Sequence, residues 1–119
     1  MQTTGETSRP VDRKARMKIA FEDLPLRPPE DRVRDFESAY LPLEASFAMR
    51  AAERCIQCPE APCREACFVH NDIPTAMWLI EQGDFIGAAN VYRQTSSLPE
   101  ICGLVCPHDV VCQGACVRN

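Results

Sequence analysis

An all-α domain with loop-rich cysteine segments is the fold class this sequence predicts, and three observations predict it. Apolar residues recur at helical spacing in several short windows, and no window shows a convincing period-two run. Eight cysteines fall in two runs in the second half of the chain. The first run is Cys55-x-x-Cys58-x-x-x-x-Cys63-x-x-x-Cys67, and the second is Cys102-x-x-x-Cys106-x-x-x-x-x-Cys112-x-x-x-Cys116. With 119 residues there is room for one domain, expected over 33–119, preceded by a loose arm.

Residues 1–32 read as that arm. They are charged, and Pro10, Pro25, Pro28 and Pro29 interrupt any periodicity, so the segment is expected to be flexible on its own. From Pro42 to Arg54 the spacing predicts a helix: Ala45, Ala48, Ala52 and Cys55 share a face, and no Gly or Pro intervenes. This helix delivers Cys55 at its C-terminal end. Pro59 and Pro62 then break the periodicity, leaving room for one turn around Arg64–Ala66.

The clearest helix spans 72–82. Asp72 is a good N-cap, Pro74 falls in the first turn where its missing N–H costs nothing, and Gly83 sits just past the end. Ile73, Ala76, Met77 and Ile80 line one face. Asp84 then caps a second helix whose stripe is Phe85, Ala88, Ala89 and Tyr92, and both stripes read as core. Pro99 opens a helix leading through Cys102 to Cys106, and Gln113–Val117 suggests a last turn.

Composition narrows the function. Only 7% of residues are aromatic, so the core is small and bound metal would supplement it. Residues 1–54 hold ten basic and ten acidic side chains, whereas 55–119 hold Arg64, Arg93 and Arg118 against seven acids. A cysteine-bearing half this acidic is a poor partner for nucleic acid, whose phosphates call for Lys and Arg. The N-terminus has no apolar core of signal-peptide length, and no stretch is long enough to span a membrane. The expectation is a cytoplasmic protein whose thiols stay reduced, which argues against a disulfide framework.

Iron–sulfur clusters and structural zinc remain. A four-iron cube takes one thiolate at each iron, and Cys-x-x-x-Cys on a helix sets two sulfurs one turn apart, as at Cys63/Cys67, Cys102/Cys106 and Cys112/Cys116. Eight thiols also make two Cys₄ zinc sites arithmetically. Structural zinc usually joins two short Cys-x₂₋₄-Cys turns, and only one tight Cys-x-x-Cys exists, so spacing favours iron–sulfur without deciding it. His70 and His108 are possible ligands but read more simply as surface residues. There is no phosphate-cradling Gly-rich loop, no Ser/His/Asp grouping and no paired carboxylates, so the segment reads as one that handles electrons or metal without a catalytic centre.

Two stretches carry a resemblance. Ala51-Ala52-Glu53-Arg54-Cys55-Ile56-Gln57-Cys58-Pro59 continues through Cys63 and Cys67 to Val69-His70-Asn71-Asp72-Ile73-Pro74. Leu98-Pro99-Glu100-Ile101-Cys102-Gly103-Leu104-Val105-Cys106-Pro107 continues through Cys112 and Cys116 to Val117. Together with Asp31-Arg32-Val33-Arg34-Asp35-Phe36, they make residues 31–119 resemble the N-terminal cluster domain of the glutamate synthase small (beta) subunit family. That domain is shared with dihydropyrimidine dehydrogenase and related NAD(P)H-dependent flavoprotein subunits.

The resemblance implies an α-helical ferredoxin-like domain holding two [4Fe-4S] clusters. By position, Cys55, Cys58, Cys63 and Cys116 match the ligands of the first cluster, and Cys67, Cys106 and Cys112 match three ligands of the second. The second cluster's fourth ligand in the family is a non-cysteine side chain downstream, which leaves Cys102 or a residue beyond 119. Cys102 itself reads as a small buried thiol. The implied role is electron transfer from NADPH-reduced FAD through the clusters to a flavin site in the large glutamate synthase subunit. The flavin and nicotinamide domains are expected beyond this segment, so the chain reads as an N-terminal piece. The same domain in a dihydropyrimidine dehydrogenase or ferredoxin–NAD(P) oxidoreductase subunit is the alternative, and a zinc-stabilised interaction module is the alternative of another class. Phe68 stands where the family has proline and Leu104 where it has arginine; loss of that positive charge would lower the nearby potential.

Overall fold

The computed structural model describes residues 9–119. Among them, eight short α-helices succeed one another: α1 (Arg13–Arg16), α2 (Pro29–Arg32), α3 (Ala45–Glu53), α4 (Pro62–Ala66), α5 (Ile73–Glu81), α6 (Phe85–Arg93), α7 (Pro99–Val105) and α8 (Cys112–Ala115). A 3-10 turn at His108–Val110 lies between the last two. The described residues hold no β-strand, only an isolated antiparallel bridge between Leu26 and Tyr40. The all-α expectation is met.

Local chemistry explains the element ends. The Asp72 side chain accepts from the Thr75 backbone N–H at 3.5 Å and from the Thr75 hydroxyl at 2.7 Å, closing the first turn of α5. Asp84 does the same for α6, accepting from the Gly87 N–H at 2.8 Å. Gly83 takes φ +83 in the turn between them, a conformation that glycine adopts without strain. α3 begins later than the expected Pro42, because Glu44 is still extended (ψ 147) and serves as its N-cap. The last turn falls at Cys112–Ala115 and ends before Val117, because Cys116 is already extended.

The core is thin and built on alanine. α5 packs on α3 and on α6, α4 packs on α8, and α6 reaches α7. The buried apolar residues are Ala52, Ala61, Ala76 and Ala88, and no large described side chain is completely buried. Small side chains at Ala52, Ala76 and Ala88 let α3, α5 and α6 approach closely, while Ala61 precedes α4 as its N-cap. The expected stripes are therefore only partly core. Ala76 and Ala88 are sealed, Ile73, Met77, Ile80 and Tyr92 are half-buried, and Phe85 remains exposed.

From Arg9 onward the N-terminal segment differs from the loose arm its prolines and charges suggest. Residues 1–8 lie outside the described residues. Arg16 donates to the carbonyls of Glu53 and Cys55, both at 3.0 Å, and pairs with Glu81 through two hydrogen bonds. Arg13 donates to Ile56 O at 3.2 Å. In return, Arg54 donates to Ile19 O, and the Arg118 guanidinium donates to the carbonyls of Arg16, Met17, Ile19 and Arg54. Proline and charge signal a chain without its own periodic helix; they carry no information about side-chain to carbonyl bonds made elsewhere in the fold. Residues 25–41 close on themselves through Arg27 N to Ala39 O (2.8 Å), Leu41 N to Pro25 O (2.9 Å) and the Arg27–Asp35 ion pair.

Arg16 and Glu81 have side chains only 11% and 16% exposed, so removing one leaves the other charged and poorly solvated. Arg16→Ala is expected to cost about 3 kcal/mol. Glu81→Ala should cost a similar amount, and the double variant less than the sum of the two. Denaturant unfolding of the four proteins measures this, and strictly additive losses would show that the pair is not coupled.

Candidate metal centre

Helix ends position most of the cysteines. Cys55 comes just after α3, Cys58 lies in the loop beyond it, Cys63 is the second residue of α4 and Cys67 caps that helix. Cys102 sits within α7 and Cys106 caps it, while Cys112 opens α8 and Cys116 caps it. All eight are free thiols of intermediate exposure. Because α4 packs on α8, the two cysteine runs come together across that contact.

Mutual electrostatics show which thiols lie near one another. Burial pushes the Cys55 thiol up from its ordinary value; the Gln57 backbone N–H works against this, and Cys58 and Cys116 add to it. Cys63 is pushed up to about 11, first by burial and then by its neighbours Cys55, Cys116 and Cys112. Cys112 is raised by burial, with Cys106 and Cys67 adding to the effect. Cys116 thus sits beside cysteines of the first run, and Cys67 beside cysteines of the second. Cys102 is not among these neighbours; its sulfur lies 4.0 Å from the hydroxyl of buried Ser96.

The loop of the first run is tightly wound. Gln57 (φ +54), Ala61 (φ +40) and His70 (φ +49) all take left-handed backbone, which costs a residue with a Cβ on the order of 1 kcal/mol. The turns at Gln57 and Ala61 fold the short loop back on itself, and Cys55 lies near both Cys58 and Cys63. Around them the chain supplies donors. Gln57 Nε2 lies 3.5 Å from Cys55 Sγ, and the Arg118 backbone N–H lies 3.4 Å from Cys116 Sγ.

This donor set suits a multi-iron group. It consists of soft thiols, which iron–sulfur clusters use. Among the described residues, no three Cys, His, Asp or Glu side chains converge closely enough to hold a single metal ion. A zinc site would draw four sulfurs to about 2.3 Å from one ion, whereas a four-iron cube wants its thiolates spread, one at each iron. His70 and His108 are both exposed. The two departures from the family pattern, Phe68 and Leu104, are also exposed, at 87% and 67%.

Three residues near the centre escape a reading of spacing. Tyr92 reads as one more member of a helix stripe, yet its phenol is pushed up to about 12 by burial and by nearby Cys112, Cys63, Cys67 and Cys55, so it stands close to both cysteine groups. Gln57 is 3% exposed, and its only signal in the sequence is its place inside Cys-x-x-Cys. Arg118 looks like a terminal surface charge but ties the segment after Cys116 to the N-terminal segment.

The chain belongs to the family described as dihydropyrimidine dehydrogenase domain II, 4Fe-4S cluster, whose model matches residues 32–119. Spacing had left zinc and iron–sulfur open, and this match makes it a [4Fe-4S] domain. It is 38% identical over 101 residues to the glutamate synthase [NADPH] small chain of Halomonas elongata, covering 85% of this chain and 21% of that protein. The glutamate synthase [NADPH] small chain of Escherichia coli K12 is 39% identical over 97 residues, with 82% and 21% covered. The NAD-dependent dihydropyrimidine dehydrogenase subunit PreT of Escherichia coli O157:H7 is 33% identical over 91 residues, with 76% and 21% covered. The chain thus spans about a fifth of the length of these relatives. No helix among the described residues is long and apolar enough to cross a membrane.

In the metal-free protein the fold holds Cys63 as a neutral thiol, raised from 9.0 to about 11. The folded state therefore keeps a proton that the unfolded chain releases, and stability should fall as pH climbs from about 9 towards 11. Denaturation midpoints of the chelated protein at either end of that window test the sign. Separately, a Cβ at Gly114 would meet the Asp109 carbonyl oxygen at 2.7 Å, a backbone atom that cannot easily yield. Gly114→Ala should cost about 1–3 kcal/mol and loosen α8, lowering iron retention, whereas Gly103→Ala, with open space around it, should do neither.

Proposed function

We propose that this chain is the electron-carrying module of a glutamate synthase small-chain-type oxidoreductase. In this reading Cys55, Cys58, Cys63 and Cys116 hold one [4Fe-4S] cluster, and Cys67, Cys106 and Cys112 hold a second. The observation that supports it most directly is the α4–α8 contact, which brings Cys116 near Cys55 and Cys63, and Cys112 near both Cys63 and Cys67. In this reading neither run completes a site by itself, and one fold has to hold both.

When bound, the clusters supply one-electron acceptor and donor chemistry. The chain's own residues hold the thiolates in place, bury them partly from water and direct N–H groups at their sulfurs. Electrons would arrive from NADPH by way of FAD in the same subunit and leave for a flavin site in a large subunit, where glutamate is made. The likeness to the two glutamate synthase small chains, whose names specify NADPH, supports this assignment. A dihydropyrimidine dehydrogenase-type subunit is the second reading, supported by the family description and the PreT likeness. Either assignment is of a cytoplasmic enzyme that carries no nucleic acid.

Anaerobically reconstituted protein should bind about eight irons per chain and show two four-iron EPR signals on reduction. Cys116→Ser should chiefly remove the first signal and Cys112→Ser the second. Cys67→Ser should remove a different signal from Cys58→Ser; loss of the same signal in both would mean that the first run builds a site alone. With three matched cysteines, the second cluster should be the labile one, passing to a three-iron form under mild oxidation while the first persists. Cys102→Ala should leave both signals in place, since its sulfur is engaged with Ser96.

A further inference from the structure

Gln57 is a buried polar residue in left-handed backbone, inside the Cys-x-x-Cys turn, and its side-chain amide is fully spoken for. Oε1 accepts from Arg9 Nη1 at 3.2 Å. Nε2 donates to the Pro74 carbonyl at 2.9 Å and approaches Cys55 Sγ at 3.5 Å. A guanidinium has only donors and a proline carbonyl only accepts, so the amide has one satisfactory orientation. A flipped amide would set donor against donor at Arg9 and acceptor against acceptor at Pro74. The orientation that remains leaves the second Nε2–H free to address the Cys55 sulfur.

Arg9 is itself held from three sides. Its Nη2 donates to Thr75 Oγ1 at 2.9 Å, its guanidinium lies 6.0 Å from the centre of the Trp78 ring, and Nη1 takes the Gln57 oxygen. Thr75 in turn donates to Asp72, the N-cap of α5. The arginine is thus braced on one face of α5 and presents a fixed donor to the amide.

We propose that Gln57 tunes the cluster held by Cys55, its amide N–H donating to the thiolate sulfur, and that Arg9 is the positioning residue that holds this amide in the donating orientation. The inference rests on the assignment of Cys55 to the first [4Fe-4S] cluster. Reduction adds negative charge that is shared with the ligand sulfurs, so a donor at sulfur stabilises the reduced state more than the oxidised one and raises the potential. The N-terminal segment, whose composition suggests only a tether, thereby sets a property of the redox centre.

The test is an EPR-monitored redox titration of the reconstituted holoprotein. Gln57→Gly keeps the left-handed backbone free of strain and removes the amide; Gln57→Glu keeps the length and the Arg9 partner but offers no N–H to sulfur, faces the Pro74 carbonyl with an acceptor and adds a negative charge that lowers the potential as well. Both should shift the first cluster's midpoint to lower potential while leaving the second cluster's midpoint in place. Arg9→Ala should produce a shift of the same sign, Arg9→Lys a smaller one, and Arg9→Ala added to Gln57→Gly no further shift. That last comparison separates an arginine acting through the amide from one acting by its charge alone. If Gln57→Gly fails to hold its cluster, the Arg9 variants, remote from the ligands in sequence, decide the matter. An unmoved first midpoint in Gln57→Glu and Arg9→Ala overturns the proposal and leaves the cluster assignment intact, as does a full additional shift from Arg9→Ala in the Gln57→Gly background. A wild-type protein without two four-iron signals overturns the assignment beneath it.

Discussion

Arg16 joins three parts of this fold that share no secondary structure. Its guanidinium meets the Glu53 and Cys55 carbonyls at the end of α3 and the Glu81 carboxylate at the end of α5, while its own backbone belongs to α1. The last carbonyls of a helix lack intrahelical partners, and a loop that bends away at Cys55 cannot supply them. An arginine from a distant segment satisfies them and sets the angle at which the chain leaves α3. The Cys-x-x-Cys turn, the left-handed Gln57 and the N-terminal segment all depend on that exit. Arg118 repeats the device from the other end of the chain, where it donates to Arg54 O and to three carbonyls between Arg16 and Ile19.

The alanine core explains why such clasps are needed. A domain whose sealed apolar residues are Ala52, Ala61, Ala76 and Ala88 gains little from burial, since the hydrophobic return scales with the apolar area removed from water. Larger side chains at Ala52, Ala76 and Ala88 would hold α3, α5 and α6 further apart. Close helices bring the thiols together; the fold then relies on polar clasps and on metal–sulfur bonds for the stability that a larger core would otherwise supply. The left-handed residues around Cys58 and Cys63 fit the same logic, because strain of that kind persists where the surrounding structure holds it, and it gathers at functional sites.

The acidic half of the molecule uses its few cations internally. Arg64 pairs with Asp72, Arg93 with Glu100, and Arg118 is spent on carbonyls. All three are thus engaged within the chain, Arg93 in a pair that is itself half exposed. Large apolar side chains stay exposed beside both runs, Phe68 after Cys67 and Ile101, Leu104, Val105 and Val110 in or next to the second, all more than half exposed. Two of these, Phe68 and Leu104, are the positions where the chain departs from its family's pattern.

Much of the helical framework was legible in the sequence, because caps, prolines and stripes act within a few residues of where they stand. Asp72, Pro74, Gly83 and Asp84 determine the hairpin of α5 and α6 locally, and Pro99 starts α7 for the same reason; Pro62, which reads as a breaker, instead opens α4 two residues before the expected turn. Cysteine identity and spacing likewise determined the soft-ligand chemistry, since thiols one helical turn apart are useful for little else. Tertiary structure alone decided the rest. Which cysteines become neighbours depends on α4 meeting α8 across nearly fifty residues, and helical periodicity says nothing about which helices touch. Tyr92 comes near both groups from α6, which packs on α5 and α7 and whose stripe carries no sign of the cysteines. The docking of residues 9–19 was equally illegible, because it rests on arginine side chains reaching carbonyls some 35 to 100 residues away. A backbone carbonyl has no residue type, so a sequence contains no sign of which one an arginine will find.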